Sequence, residues 1–330
     1  MADSSLEKPL LAELLREWLG AAFTSGSLLH VQMPKYGAIH QTRLLETTSG
    51  RYALRRYRYG QDRHMAITYE HALSQYVHEQ GLPAIPPLPL LNGGTWIEHE
   101  GVYYALYPFA PGRQVARQEL SSHNLWAMGQ CLARLHTVLR DYPCVQVTQR
   151  NFHFNMQKTF AYMGELEEII RARPRIQPQD EIVLAHLAAR RAWLLDHQDD
   201  PFSDFHALHQ QVIHGDYQET NLFFMHDKVS AIIDWDQAYS APAAWEIARI
   251  LDIVCDFAKE LCQAFLDGYR ALLPLSHDEL DLLIYCYGWM RAQNLWLYEE
   301  LYIEGNERVR RFLPDDPFIP ISEKWERIKI

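Results

Sequence analysis

Residues Val212–Phe224, VIHGDYQETNLFF, place a short polar loop between two apolar runs. The apolar runs predict two strands, and the loop carries His214, Asp216 and Asn221. The segment AIIDWD follows and predicts a hairpin that returns Asp234 towards Asn221. Carboxylate and amide oxygens are preferred ligands of Mg²⁺, and a carboxylate can orient an attacking hydroxyl. The stretch therefore predicts a phosphoryl-transfer site with Asp216 as the catalytic carboxylate and Asn221 and Asp234 as metal ligands. A plain acidic turn between strands is the alternative.

The pattern of secondary structure changes near residue 110. Before it, short strands are predicted in SLLHVQM, AIHQTRLLET, RYALRRY and GVYYALYPF, and a helix over residues 62–80 interrupts them. Beyond it, helical periods predict helices over residues 155–171, 180–197, 243–258 and 278–302. The predicted fold is α+β and bilobal: a small antiparallel β lobe at residues 1–107, a hinge at 108–112 and a larger, mainly helical lobe at 113–330.

Composition excludes several classes of function. The 330 residues carry a net charge of −11, which argues against nucleic-acid binding because phosphate affinity comes from clustered Lys and Arg. The N-terminal segment MADSSLEKPLLAELLREWLG predicts an amphipathic helix rather than a signal peptide, and no apolar run is long enough to span a membrane. Five cysteines without any CxxC pair argue against a disulfide framework or a zinc site. We therefore expect a cytoplasmic protein.

The motifs, taken in order, resemble those of the aminoglycoside phosphotransferase and choline kinase-like enzymes, which share the protein-kinase fold. HGDYQETN followed by IDW resembles their catalytic loop and metal-binding segment. GRYALRR resembles the strand that delivers a cation to the ATP phosphates, and ITYEHAL resembles the helix that carries its acidic partner. ALYPFAPG resembles the hinge strand, and LARLH, PAAWEIARI and FLDGYR extend the similarity, which covers about residues 29–270. Together these motifs are specific, although each alone is weak to moderate.

The resemblance implies a kinase that uses ATP and Mg²⁺. In this interpretation Arg55 neutralises the α- and β-phosphates, Glu70 positions Arg55, and Ala53 leaves room for adenine. Neighbouring Arg56 points to the opposite strand face, so the choice between the two arginines depends on strand register. Four further residues are implied to contact the nucleotide: Gly37 in the loop MPKYGAIHQ, and Pro108, Phe109 and Ala110 at the hinge.

The chain departs from the pattern of these enzymes at three places. Arg55 stands where the wider kinase fold usually has lysine, and arginine is bulkier and forked. Gln218, Glu219 and Thr220 occupy positions where the loop often reads His-Pro-Gly. The nucleotide loop contains a single glycine, Gly37, which weakens its phosphate-binding signal. Whether Arg55 fully replaces lysine, and what the three loop residues do, stay open.

Two other polar residues flank the predicted site. His214 is expected to support the loop through hydrogen bonds rather than to act as an acid or base. Asp236 is interpreted as a cap of the following segment, with a second metal position as the alternative.

The acceptor implied by the resemblance is a hydroxyl of a small molecule. An acidic, aromatic helical region favours an amine-bearing alcohol such as homoserine, choline or an amino sugar. Glu219, Tyr285 and Trp289 are the candidate substrate contacts, with core packing as the alternative for the two aromatic residues. A bacterial-type Ser/Thr protein kinase and a non-catalytic nucleotide-binding pseudokinase are the alternative functions. The identity of the alcohol, the choice of ATP or GTP, and the oligomeric state stay open.

Overall fold

The computed structural model of the protein describes residues 4–33, 41–57, 64–145, 149–150, 152 and 154–330. The chain forms two compact units. The first unit comprises Met1–Gln149, Gln211–Ser240 and Ala264–Pro274, and the second comprises Arg150–Gln210, Ala241–Gln263 and Leu275–Ile330. The predicted hinge at residues 108–112 lies inside the first unit, and the division into two lobes stays a prediction.

An antiparallel sheet forms the N-terminal part of the first unit. The strands of this sheet stand in the order β1 (Leu28–Gln32), β2 (Gln41–Thr47), β3 (Gly50–Arg56), β5 (Val102–Pro108) and β4 (Ile97–His99). Two helices accompany the sheet, α1 (Ser4–Leu19) and α2 (His64–Glu79).

The two faces of the sheet bury different side chains, because successive residues of a strand point to opposite sides. Leu54 and Leu106 pack in one apolar cluster with Leu15 of α1. Ala105, one residue away from Leu106, lies in a second cluster with Ile67 of α2. Arg55 is paired with Ala105 across β3 and β5, so the register directs the arginine to the α2 side.

The rest of the first unit carries the polar loop of the opening stretch. The loop follows the buried strand β6 (Gln211–Ile213), which pairs with β9 (Tyr239–Ala241). It leads into the hairpin of β7 (Leu222–Met225) and β8 (Lys228–Ile232). The helix α3 (Ser122–Leu139) belongs to the same unit and presents Leu125, Met128 and Leu132 as buried residues.

The second unit is helical. Its helices are α4 (Met156–Arg171), α5 (Pro178–Asp196), α6 (Phe202–Ala207), α7 (Ala243–Ile253), the start of α8 (Lys259–Arg270), α9 (His277–Gln293), α10 (Trp296–Tyr302) and α11 (Ile321–Ile328). An aromatic cluster forms part of its core, in which Phe202 lies 5.1 Å from Phe205 and 6.0 Å from Trp245, measured between ring centroids.

The predicted α+β class, with an N-terminal antiparallel sheet followed by a mainly helical region, is confirmed. One helix prediction was wrong: residues 278–302 form two helices, separated at Asn294–Leu295. Among the described helices, none combines the length and apolarity that crossing a membrane requires.

Candidate active site

The backbone of the polar loop at residues 214–221 is held by His214, which is fully buried. Its Nδ1 accepts a hydrogen bond from the backbone N–H of Asp216 at 3.2 Å, and its Nε2 lies 3.1 Å from the carbonyl oxygen of Ile233. A carbonyl can only accept, so Nε2 carries the proton and the imidazole is neutral. His214 thus links the loop to the end of β8, which matches a supporting role.

Gly215 allows the loop to approach the segment that follows Asp234. Its φ of +77° is a conformation that side chains with a Cβ rarely adopt. A Cβ at this position would also collide with the carbonyl oxygen of Gln237. The loop conformation therefore requires glycine at position 215.

The carboxylate of Asp216 is positioned by two side-chain amides. Asn221 Nδ2 donates to Asp216 Oδ2 at 2.7 Å and to the Asp216 carbonyl at 2.9 Å. Gln218 Nε2 donates to Oδ1 at 3.1 Å and to Oδ2 at 3.0 Å. With its amide nitrogen engaged, Asn221 has Oδ1 as the atom suited to bind a cation. Sequence reasoning left Gln218 without a role, although its place two residues after Asp216 was a local signal.

Asp234 lies beside Asn221 because the hairpin pairs their neighbours. The backbone N–H of Ile233 donates to the carbonyl of Asn221 at 3.0 Å. Asp234 itself has a φ of +69°, a left-handed conformation that is uncommon outside glycine and often found at functional sites. Its side chain is 38% exposed, so the carboxylate remains accessible to a ligand.

The guanidinium of Arg55 is enclosed by three carboxylates. One terminal nitrogen lies 3.1 Å from Glu70 Oε1, and the other lies 2.7 Å from Asp234 Oδ1 and 3.6 Å from Asp236 Oδ2. Burial acts to lower the pKa of Arg55, but the charges of Glu70 and Asp234 outweigh it and hold the pKa well above its ordinary value. Arg55 Nε is also buried and meets no acceptor within the described ranges. The site therefore holds a permanent cation with one donor still free.

Glu70 is a buried acid of the site with a shifted pKa. Burial raises its pKa to about 7, although the nearby positive charge of Arg55 acts in the opposite direction. Next to it, burial lowers the pKa of His71 to about 3, so this imidazole is neutral. His71 Nε2 lies 2.9 Å from the Tyr57 hydroxyl and 3.1 Å from the Tyr107 hydroxyl, and Nδ1 lies 2.7 Å from Thr95 Oγ1. This polar network fixes α2 against the sheet.

The residues predicted to meet adenine lie along adjoining parts of β3 and β5. Ala53 is paired with Tyr107, and Pro108 is paired with Tyr52. The backbone N–H of Phe109 donates to the Arg51 carbonyl at 3.3 Å. Ala110 follows directly in the chain. Gly37, the other predicted nucleotide contact, lies outside the described residues.

The two neighbouring arginines of β3 lie on opposite faces of the sheet. Arg56 is directed away from Glu70 and donates to Gln41 Oε1 at 2.9 Å. It lines a cavity of about 410 Å³ together with Leu11, Leu14 and Tyr104. Arg55 is thus the arginine that the structure joins to Glu70 and Asp234.

The three candidate substrate residues belong to different units: Glu219 to the first, and Tyr285 and Trp289 to the second. Glu219 is buried within the polar loop of residues 214–221 and accepts hydrogen bonds from Arg117 at 3.0 and 2.9 Å. Trp289 is 1% exposed, donates its indole N–H to the His197 carbonyl at 2.9 Å and belongs to the aromatic core of the second unit. This burial favours the packing interpretation of Trp289 over a substrate wall. Tyr285 is half-buried, with its ring 6.2 Å from that of His197.

The donor set suits a hard divalent cation that is shared with a phosphate ligand. Asn221 Oδ1 and the Asp234 carboxylate supply oxygen atoms, which Mg²⁺ prefers. Within the described ranges, no cluster of three or more His, Cys, Asp or Glu residues could hold a metal ion by itself. Protein sites of this kind are completed by water and by the phosphate oxygens of a bound nucleotide.

Comparison with known proteins identifies relatives over most of the chain. Residues 31–279 match the phosphotransferase enzyme family. A homoserine kinase of Bradyrhizobium sp. (strain ORS 278) is 26% identical over 266 residues, which cover 78% of this chain and 76% of that protein. Homoserine kinases of Brucella anthropi and of Methylobacterium radiotolerans are 28% and 26% identical.

Solved structures share the fold at lower identity. An aminoglycoside phosphotransferase from Alicyclobacillus acidocaldarius aligns with a TM-score of 0.63 at 12% identity, covering 92% of this chain and 88% of that one. An amicoumacin kinase in complex with AMP-PNP, Ca²⁺ and Ami aligns with a TM-score of 0.53 at 17% identity, covering 97% and 98%. The fold expected from the sequence motifs is therefore confirmed.

Proposed function

This chain belongs to the phosphotransferase enzyme family and is a small-molecule kinase, and we propose that it transfers the γ-phosphate of ATP to the hydroxyl of a short amino alcohol, with homoserine as the first candidate. The homoserine kinases that it resembles over three quarters of its length support this acceptor. Its five cysteines are free thiols, which suits a reducing compartment, and we place the reaction in the cytoplasm.

The arrangement that carries the proposal is the carboxylate of Asp216 held by the amides of Asn221 and Gln218. In the reaction the hydroxyl proton of the acceptor passes to Asp216, and the acceptor oxygen forms a bond to the γ-phosphorus. The bond between the γ-phosphorus and the bridging oxygen breaks, and ADP leaves with that electron pair. Phosphoryl transfer of this kind depends mainly on positioning and on neutralising charge.

The charge on the phosphates is neutralised by Arg55 and by a metal ion. Arg55 has a buried Nε that no described residue engages, and a phosphate oxygen would supply the missing acceptor. Asn221 and Asp234 would hold Mg²⁺, and the bound ion would offset the negative charge of the nucleotide phosphates. Binding of a nucleotide by this chain is also supported by its similarity in fold to the amicoumacin kinase, whose structure contains AMP-PNP and Ca²⁺.

The chain offers little support for a protein substrate. Only residues 237–242 separate Asp236 from α7, and three of them form β9. A segment this short leaves little chain for docking a peptide. We therefore favour a small-molecule substrate over the protein substrate of a Ser/Thr protein kinase, the alternative that the sequence left open.

The test is a coupled ADP-release assay of the full chain with homoserine, choline, amino sugars and aminoglycosides as acceptors. We expect homoserine to give the highest kcat/KM. Asp216→Asn is expected to lower kcat about 10³-fold, because it removes the proton acceptor while keeping the shape of the side chain. MgATP binding, measured by calorimetry, is expected to persist in this variant.

Asp227→Asn is the matched control, because Asp227 is exposed at the turn of the β7–β8 hairpin. This control should turn over at the wild-type rate. Undiminished transfer by Asp216→Asn would exclude the assigned role of Asp216. Failure to bind MgATP and to release ADP with every acceptor would exclude the kinase itself.

A further inference from the structure

A cavity on the α1 side of the sheet takes no part in the kinase reaction described above. We call it the α1 pocket; it has a volume of about 410 Å³ and is lined by residues of α1, by all the strands from β2 to β5 and by the turn between β4 and β5. This volume lies in the range of sites for small molecules, roughly 300–1,000 Å³. All the lining residues belong to the first unit. Arg55 points to the opposite face of the sheet, so the pocket is separate from the site that we assign to the phosphates.

The buried part of the lining is apolar. Leu11, Leu14 and Leu54 line the α1 pocket, and each is 4% exposed or less within the cluster that joins α1 to the sheet. Leu10 also lines the pocket, yet 37% of it is exposed. A ligand that covers this leucine removes apolar surface from water, which is favourable. The pocket therefore suits a ligand with an apolar chain.

The charged part of the lining has an excess of positive charge. Two arginines, Arg43 and Arg56, line the α1 pocket together with one carboxylate, Glu100. Arg56 donates to Gln41 Oε1 at 2.9 Å, and no described carboxylate pairs with it. Arg55, the next residue along the strand, instead has three carboxylates around it. Because a guanidinium binds a carboxylate through two parallel N–H groups, Arg56 can take up the carboxylate of a ligand.

The charge balance of the α1 pocket also limits the charge of the ligand. A phosphate monoester carries about two negative charges at neutral pH, and Glu100 would repel it more strongly than a singly charged carboxylate. We propose that the α1 pocket binds an organic monocarboxylate with an apolar chain, with the carboxylate on Arg56 and the chain against the leucines of α1. A fatty acid and an apolar amino acid share this chemistry. Glu100 distinguishes them, because only the amino acid brings an ammonium group for it.

The test is calorimetric titration of the full chain, without nucleotide, with hexanoate, hexan-1-ol and norleucine. The wild type should bind hexanoate at one saturable site, about 10-fold more tightly than hexan-1-ol, because only the carboxylate pairs with the charge of Arg56. In Arg56→Gln this ratio should fall below about 2-fold, because the charged donor is lost. Leu10→Ser, a change at a partly exposed side chain, should weaken the binding of both ligands at least about 3-fold, because less apolar surface is covered.

Norleucine identifies the source of the carboxylate, since it has the chain of hexanoate and adds an ammonium group. Tighter binding of norleucine than of hexanoate supports an apolar amino acid as the ligand, and Glu100→Gln should then remove the gain. Weaker binding of norleucine supports a fatty acid.

Arg51→Gln is the matched control, since Arg51 is an exposed arginine of the same strand and does not line the α1 pocket. It should keep the wild-type ratio of affinities. The inference is overturned if the wild type binds neither hexanoate nor norleucine at a saturable site, if hexan-1-ol binds as tightly as the carboxylates, or if Arg56→Gln discriminates as the wild type does. Each of these results leaves the proposed kinase function intact.

Discussion

The first unit contains two arginine–glutamate pairs, Arg55–Glu70 and Arg117–Glu219, and the two arginines differ in solvent exposure. The side chain of Arg55 is 9% exposed and is bound by Glu70 at 3.1 Å and by Asp234 at 2.7 Å. The side chain of Arg117 is 42% exposed and is bound by one oxygen of Glu219 at 2.9 Å. Both glutamates are buried, so the difference lies in the arginines and in the number of their partners.

The solvent exposure of each arginine determines how firmly its side chain is held in place. Arg55 is surrounded by negative charge at low solvent access, and it remains a cation at a fixed position under all ordinary conditions. The side chain of Arg117 is 42% exposed and pairs with the carboxylate of Glu219, so water screens the pair and its position is less constrained. The enclosed pair therefore holds a permanent charge in a fixed position, whereas the open pair is screened by water and weakly constrained. Disrupting each pair should reveal this difference.

The largest effect is expected from Arg55→Ala. It removes the one positive side chain between Glu70 and Asp234, so the phosphates face uncompensated carboxylates. We expect kcat/KM for MgATP to fall about 10²–10³-fold, the range typical of losing one charge-stabilising donor. Steady-state kinetics at saturating acceptor would measure it.

Arg56→Ala is the control for this variant, because Arg56 is the next residue of β3 and points to the opposite face. It removes the same charge from the same strand, and we expect less than a 2-fold change. Equal losses in the two variants would contradict the assignment of Arg55 to the phosphates.

A smaller effect, with a distinctive pH dependence, is expected from Glu70→Gln. Burial raises the pKa of Glu70 to about 7, so only its ionised form, above that pH, holds Arg55 by charge. In the wild type, kcat/KM for MgATP should rise with pH through a midpoint near 7, since this parameter reports the free enzyme. Glu70→Gln should lower kcat/KM about 10-fold at pH 8 and remove this rise.

The contribution of Glu70 to folding stability should fall as the pH rises, whereas its contribution to kcat/KM should increase. The folded-state pKa of Glu70 lies above its unfolded value near 4.5, so the folded protein binds this proton more tightly. The stabilisation is fully present below pH 4.5 and is lost as the pH rises through about 7. Urea unfolding of the wild type and Glu70→Gln between pH 5 and pH 8 would measure it, with Glu119→Gln as an exposed control. A wild-type minus Glu70→Gln difference that does not change with pH would contradict the shifted pKa.

The two pairs also differ in how far the sequence predicted them. Arg55 and Glu70 lie on a strand and the next helix, and the resemblance of GRYALRR and ITYEHAL to the family motifs implied their pairing, with the choice between Arg55 and Arg56 left to strand register. Arg117 and Glu219 are 102 residues apart. No periodic or local signal connects them, and only tertiary structure brings them together. The same holds for the buried Oε2 of Glu219, because burial of a single atom depends on everything packed around it.

The helical region was also predicted only in part from the sequence. The aromatic face with Tyr285 and Trp289 was correctly placed on a helix, but periodicity cannot tell what covers that face. In the structure Phe154 and Phe202 lie within 6.0 Å of the Trp289 ring. The break after Gln293 was missed because neither Pro nor Gly marks it. Asn294 Oδ1 instead accepts a hydrogen bond at 3.1 Å from the backbone N–H of Trp296, the first residue of α10.

The smallest effect is expected from Arg117→Ala on folding stability. A half-exposed ion pair contributes little, because water screens it and holding the side chain costs entropy, so the free energy of unfolding should fall by less than about 1 kcal/mol. Arg55→Ala leaves buried carboxylates without a partner and should cost about 3–5 kcal/mol at pH 8, where Glu70 is ionised. Urea unfolding of both variants at pH 8 compares them directly. At pH 6 the cost of Arg55→Ala should shrink, since Glu70 can then take up a proton, whereas the cost of Arg117→Ala should stay small. A loss above about 2 kcal/mol for Arg117→Ala would contradict the small contribution expected of a half-exposed ion pair.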